Sequence, residues 1–215
     1  MSPAAVNAFT YEGGTNAGMD WDAPLDAWYV WMAVALVSLA VAGVALAVPT
    51  GPPPDANGAA NAIDRIAASP YQASGSYAHD GDEVRVTART IELRNRHGTS
   101  HATVSFGTVV PASGVRGLEN VTYGAAYENE YDEPYVPPEY RFLEAVDDAA
   151  SASPEWRPAT GDVVVRRVTL DSRLLEILDR VSVGPVDGPE AVTSEWQGVQ
   201  YDRSSGEFYV VLVAA

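Results

Sequence analysis

The chain has 215 residues and a formal net charge of −16; all 13 basic residues are arginine, and there is no cysteine. Disulfides and thiolate metal sites are therefore excluded, and no concentrated basic face offers itself to nucleic acid. Dense carboxylates hold hydrated cations and keep a surface soluble where salt screens charge, so this Lys-free composition predicts a protein of an extreme halophile.

Residues 1–26 are rich in Gly, Asn and Ala, carry no apolar periodicity and read as a disordered acidic tail. A start at Met19 would leave only a few residues of it. Ala27 to Val48 then runs without a charge, with Ser38 its only hydroxyl. At 1.5 Å per residue this helix reaches about 30 Å, the thickness of a bilayer's hydrocarbon core. Trp28, Tyr29 and Trp31 cluster at one end, where amphipathic rings favour the membrane–water interface, so membrane lipid is the first expected partner. Ser38 with Ala42, and Gly43 with Ala47, form small-xxx-small pairs that would let a second copy of the helix approach. Two alternatives exist. A buried core helix this apolar needs a larger protein around it. A cleaved signal needs a basic leader, whereas the tail carries Glu12, Asp20, Asp22 and Asp26 and offers only Ala45-Leu46-Ala47 as a cleavage-like site.

Pro49-Thr50-Gly51-Pro52-Pro53-Pro54 reads as a short extended spacer, residues 49–54. Asp55 then caps a helix with Ala59, Ala60, Ile63, Ile66 and Ala67 on one stripe, ended at Ser69-Pro70. From Ser74 to Val110 the apolar period becomes two, which predicts an antiparallel meander with one solvated face. Val84 and Val86 alternate, and Ile91 and Leu93 take the opposite parity, so a bulge or strand break falls near Arg89-Thr90. Asn95 to Thr99 is a turn, and on the next strand Ala102, Val104 and Phe106 share one face while His101, Thr103 and Ser105 share the other. Pro138 opens a helix with Phe142, Leu143, Val146 and Ala150 on its buried stripe. Asp162 to Leu170 is a strand, and Asp171 caps a short helix carrying Leu174, Ile177, Leu178 and Val181. A terminal hairpin closes the chain. Its last strand, Phe208 to Val213, is apolar on both faces, so it belongs at the centre of a sheet. The expected fold is α+β: an N-terminal transmembrane helix, then a mainly antiparallel β-sheet domain over residues 55–215 with two or three short helices.

Chemistry-bearing motifs are sparse. Glu128, Glu130, Asp132 and Glu133 lie in a Tyr-rich loop and offer oxygen ligands of the kind Ca²⁺ takes, although the spacing matches no EF-hand. His79-Asp80-Gly81-Asp82-Glu83 is a similar, turn-like run. His97 and His101 are four apart but straddle a turn and a strand, with no third ligand at diagnostic spacing. No nucleophile elbow, phosphate-binding loop or dinucleotide fingerprint occurs. Arg166-Arg167 lies too deep in the chain to be an export signal. The expectation is a non-enzyme with no catalytic residue, metal or cofactor.

The run Asp26-Ala27-Trp28-Tyr29-Val30-Trp31, the Ala/Val span, the Pro-rich stretch and Ala60-Asn61-Ala62-Ile63-Asp64-Arg65-Ile66-Ala67-Ala68-Ser69-Pro70-Tyr71 together resemble an uncharacterised family of haloarchaeal single-pass membrane proteins. The likeness covers most of the chain from Met19 onward and implies no activity or catalytic residue. More loosely, the layout is similar to archaeal type IV pilin-like proteins, an apolar helix followed by a β-rich head. Asp26-Ala27 stands where prepilin processing wants a basic and a small residue, and the prolines interrupt the helix. The resemblance therefore implies an accessory component beside such a machine, in contact with other envelope proteins, more than a filament subunit.

Orientation is weakly marked. Arg65 alone among nearby basic residues favours a cytoplasmic head, while large domains translocate largely regardless of charge and Asn120-Val121-Thr122 is a glycosylation sequon. The expectation is an extracytoplasmic head on a single-pass cell-membrane protein. The alternatives are a tethered surface sensor for a cation or small ligand and a tethered hydrolase.

Overall fold

The computed structural model describes residues 25–47, 51–159, 161–170, 173–181 and 188–215. Residues 1–24 of the expected tail, the Pro49-Thr50 start of the spacer and the expected cap Asp171 lie outside the described residues, while Leu25 and Asp26, expected in the tail, already belong to the first helix. Two units follow one another, divided between Val48 and Pro49. The first holds α1 (Leu25–Ala47), whose stretch Trp28–Ala47 has a mean hydropathy of 2.4, long and apolar enough to cross a membrane. Its described side chains are apolar on all sides, so it has no polar face to give to water.

The second unit begins with α2 (Ala56–Ala67). Asp55 caps it as expected: Gly58 N–H donates to its carboxylate at 2.9 Å, and the Tyr77 hydroxyl donates to the other oxygen at 2.8 Å. The strands are β1 (Ala73–Tyr77), β2 (Glu83–Val86), β3 (Thr90–Asn95), β4 (Gly98–Thr103), β5 (Val109–Pro111), β6 (Arg157–Pro158), β7 (Val163–Thr169), β8 (Val199–Asp202) and β9 (Glu207–Ala214). Between them lie α3 (Arg116–Thr122), α4 (Tyr127–Glu130), α5 (Pro138–Ser151), α6 (Leu174–Val181) and α7 (Pro189–Glu195). The α+β class stands, with six helices in this unit among the described residues.

The strands make two sheets. The larger runs β1-β7-β9-β5, with β8 also on β9, and the smaller runs β4-β3-β2-β6. All described pairings are antiparallel except β5 with β9. The expected meander is therefore limited to β2-β3-β4. β1 leaves it for β7, some ninety residues on, in the register Ser74↔Arg166 and Ser76↔Val164, and β5 leaves it to run parallel to β9. The parity change near Arg89 is a strand break: Thr87 and Thr90 exchange hydrogen bonds across a tight turn.

β9 is the central strand its sequence predicts, flanked by β7 on one side and by β8 and β5 end to end on the other. The Gln200 side chain joins those two ends as a strand residue would. Its Oε1 accepts from Thr108 N–H at 3.0 Å, and its Nε2 donates to Thr108 C=O at 2.8 Å. Val210 and Leu212 face a core formed with α3, α5, α6 and α7, while Val211 and Val213 face a second core formed with α2 and the smaller sheet. The larger sheet is thus the middle of three layers.

Arg167 locks these layers at one corner and is 3% exposed. It donates to the Ala67 carbonyl at the end of α2 at 2.7 Å, lies 3.4 Å from an Asp202 oxygen, and sits 3.7 Å over the Tyr209 ring.

Candidate functional site

Three places were candidates from the sequence: the apolar helix, the acidic loop and the histidines. In α1, Trp28, Tyr29 and Trp31 are exposed at one end of the helix, as an interfacial girdle requires. Ser38 and Gly43 lie five positions apart, about 140° around the helix at 100° per residue, so the two small-residue pairs mark different faces. A Cβ at Gly43 would meet nothing within 4 Å.

The structure divides the acidic loop among separate partners. Tyr127 is buried and stacks on Phe142 at 5.0 Å, and Tyr131 meets the same ring edge-on at 5.7 Å. The tyrosines are thus core anchors, and they fix the acids around them. Glu130 accepts from Asn120 Nδ2 at 2.8 Å, and Glu133 pairs with Arg141 at 3.0 Å, which also holds Glu144 at 2.7 Å. Glu128 and Asp132 are exposed. Among the described residues, no three His, Asp or Glu side chains converge as metal ligands. The Tyr131 hydroxyl is buried with no hydrogen-bond partner among the described residues; burial and the nearby Glu130 push its pKa up to about 12.

The histidines do not converge either. His97 Nδ1 accepts the Gly51 N–H at 3.1 Å, and its Nε2 accepts from Arg96, while His101 is exposed on β4. Ser100 accepts from Ala56 N–H at 3.3 Å and donates to the Pro54 carbonyl. The stretch Gly51–Pro54, part of the expected extended spacer, is therefore fastened along the edge of β4. On the outer face of the smaller sheet, Arg85–Glu92 and Arg94–Glu83 are cross-strand ion pairs, and both guanidiniums lie against the Trp156 ring at 4.8 and 4.4 Å.

A fourth place emerges only from the fold. The helical layer covers β5, β9 and β7 but stops short of β1, leaving Ser74 and Ser76 exposed on that face. The result is an open groove of about 470 Å³, floored by β1, Val164 and Arg166 and walled by Thr122, Tyr123 and Gly124. Arg166 Nη1 donates to the carbonyls of Val121 and Ala125, which pins the α3–α4 turn as that wall. No carboxylate lies within ion-pair distance of Arg166 among the described residues, whereas every other partly or fully buried arginine in strands and α5 has one. Sequence reading passed over Arg166 because the signal is a missing partner, which only the fold reveals.

No curated protein and no solved structure matches the chain. A model for a family of unknown function, DUF7283, matches residues 22–168, more than half of the sequence and from just ahead of α1 to β7, and the chain belongs to that family.

Proposed function

We propose that this protein is a membrane-anchored, non-enzymatic component of the cell envelope of a halophilic archaeon. Its head is extracytoplasmic and makes protein contacts as an accessory part of a pilus-like or secretion assembly. The observation that carries the reading is α1: twenty residues of high hydropathy with an aromatic cluster at one end. The Lys-free acidic composition supports the halophilic setting. The acids of the Glu128–Glu133 run are divided between separate partners and solvent, so they lend the cation-sensor alternative no support.

Alkaline carbonate extraction of membranes, followed by detergent solubilisation and size-exclusion of the full chain, tests both parts. The reading predicts that the chain stays in the membrane pellet, and that after solubilisation it migrates in fixed stoichiometry with other envelope proteins. Release by carbonate contradicts the anchor; migration of the solubilised chain without any partner contradicts the assembly role. Val37→Arg, near the middle of the span, should weaken insertion by about 3–4 kcal/mol.

A further inference from the structure

Free strand edges are a liability that proteins blunt, and of the five terminal strands here four are blunted, β8 by being four residues long and ending in the charged Asp202. β4 is covered by the Gly51–Pro54 stretch through His97 and Ser100. β5 is three residues long and ends in Pro111. β6 is two residues long and ends in Pro158. β1 is different. Ala73-Ser74-Gly75-Ser76-Tyr77 runs five residues in continuous register with β7, with no charge, no proline and no bulge. It has no strand on its other side among the described residues, and no further backbone hydrogen bond there. Every second residue of an edge strand turns its N–H and C=O away from its neighbour, so β1 presents a row of unpaired backbone groups.

The groove lies along this same edge, and Arg166 faces it from opposite Ser74. A strand added to β1 would run two strand spacings, about 9.6 Å, from β7. A Glu or Asp side chain and the Arg166 guanidinium together span that distance. Tyr123, 61% exposed, lines the groove and offers an apolar contact. We propose that β1 is a strand-addition site for an extended segment of a partner protein whose carboxylate pairs with Arg166. The inference deepens the proposed assembly role by naming the surface and the chemistry of the contact. A second copy of this chain is the weaker occupant: its own β1 offers Ala, Ser, Gly and Tyr and leaves Arg166 without a carboxylate.

The test uses the full chain in detergent micelles and two labelled octapeptides of alternating Thr and Val, one with a central Asp and its twin with Asn. Fluorescence anisotropy should show the Asp peptide binding about tenfold more tightly, with that preference lost in Arg166→Gln. Ser74→Pro and Gly75→Pro, tested separately because adjacent residues turn their N–H groups to opposite sides and only one of the two removes an outward N–H, should include one variant that abolishes binding of both peptides. Far-UV circular dichroism confirms that each variant is folded. Equal binding of the two peptides, or no binding, would overturn the proposal while leaving the anchor reading untouched. A peptide-free dimer that either proline variant dissolves would reassign the edge to a second copy, and so would also overturn it.

Discussion

Arg167 makes the sharpest demand on the energetic account, because it buries a charge with incomplete compensation. One guanidinium nitrogen makes a good bond to the Ala67 carbonyl, another makes a long 3.4 Å contact to Asp202, and Nε is buried with no partner among the described residues. The hydrogen bond from a charged donor contributes about 1.5–3 kcal/mol, and the desolvated contact with Tyr209 about 2. Against them stands a desolvation penalty of several kcal/mol for a buried ion. Arg167→Met keeps the aliphatic stem and removes the charge, so gain and loss nearly cancel and the change should lie within about 1 kcal/mol of zero. Arg167→Ala loses the same contacts and the stem as well, about 0.8 kcal/mol per buried methylene plus the cavity left behind, for a loss of about 2–4 kcal/mol. Asp202→Asn should leave the urea midpoint nearly unchanged, because the amide oxygen can still accept from Ser204 N–H and O–H, as the carboxylate does at 2.9 and 2.6 Å. Urea unfolding of the full chain in micelles at constant high salt, followed by far-UV circular dichroism, measures all three. If Met proves as damaging as Ala, the charge itself holds the corner together and the reasoning fails.

Further outcomes follow from other positions. Gly198 has φ +82°, and a Cβ there would overlap Val110 and press on Val146, so Gly198→Ala combines backbone strain with overpacking. The expected loss is about 2–4 kcal/mol, read as a drop of roughly 4–16 °C in Tm. A drop under two degrees would mean that the core gives way there. Tyr131 is held protonated in the folded head to about pH 12, above the ordinary phenol value of 10.0. Its contribution is therefore complete below pH 10 and lost as pH rises from about 10 to 12. Tyr131→Phe should flatten that alkaline decline in urea midpoints; an unchanged decline would assign it to other groups. Removal of residues 212–215 takes Leu212 and Val213 from the central strand and leaves Val110 and Pro111 of β5 without their partners, so limited proteolysis should find no resistant head. A stable proteolytic core in that variant would contradict the placement of β9.

Patterns set by neighbours in sequence were legible; those set by distant chain were not. The cap at Asp55, the stripe Phe142–Leu143–Val146 and the two-sided strand β9 all follow from periods and local chemistry. The last buried position of α5 is Ala149 where Ala150 was expected, because the helix turns its i+7 position from Phe142 onto the sheet. β1 reads as the start of a meander because nothing in Ala-Ser-Gly-Ser-Tyr points to Val163–Arg167 as its partner. The Glu128–Glu133 run looks like a ligand loop because acids and tyrosines alternate there. Its tyrosines belong to the core only because α5 delivers Phe142 between them. The spacer prolines read only as extended chain, because their partners His97 and Ser100 are more than forty residues on. Arg166 illustrates the same limit: a guanidinium without a carboxylate is a property of the assembled groove.

The central claim, a head held outside the membrane by α1, is tested most directly by site-specific labelling. The chain has no native cysteine, so Asn129→Cys, on the exposed side of α4, places a single thiol on the head. Intact cells are treated with a membrane-impermeant maleimide and compared with lysed cells. The account predicts equal labelling before and after lysis. Labelling that appears only after lysis would place the head in the cytoplasm, make Arg65 the true guide to orientation, and contradict the envelope role.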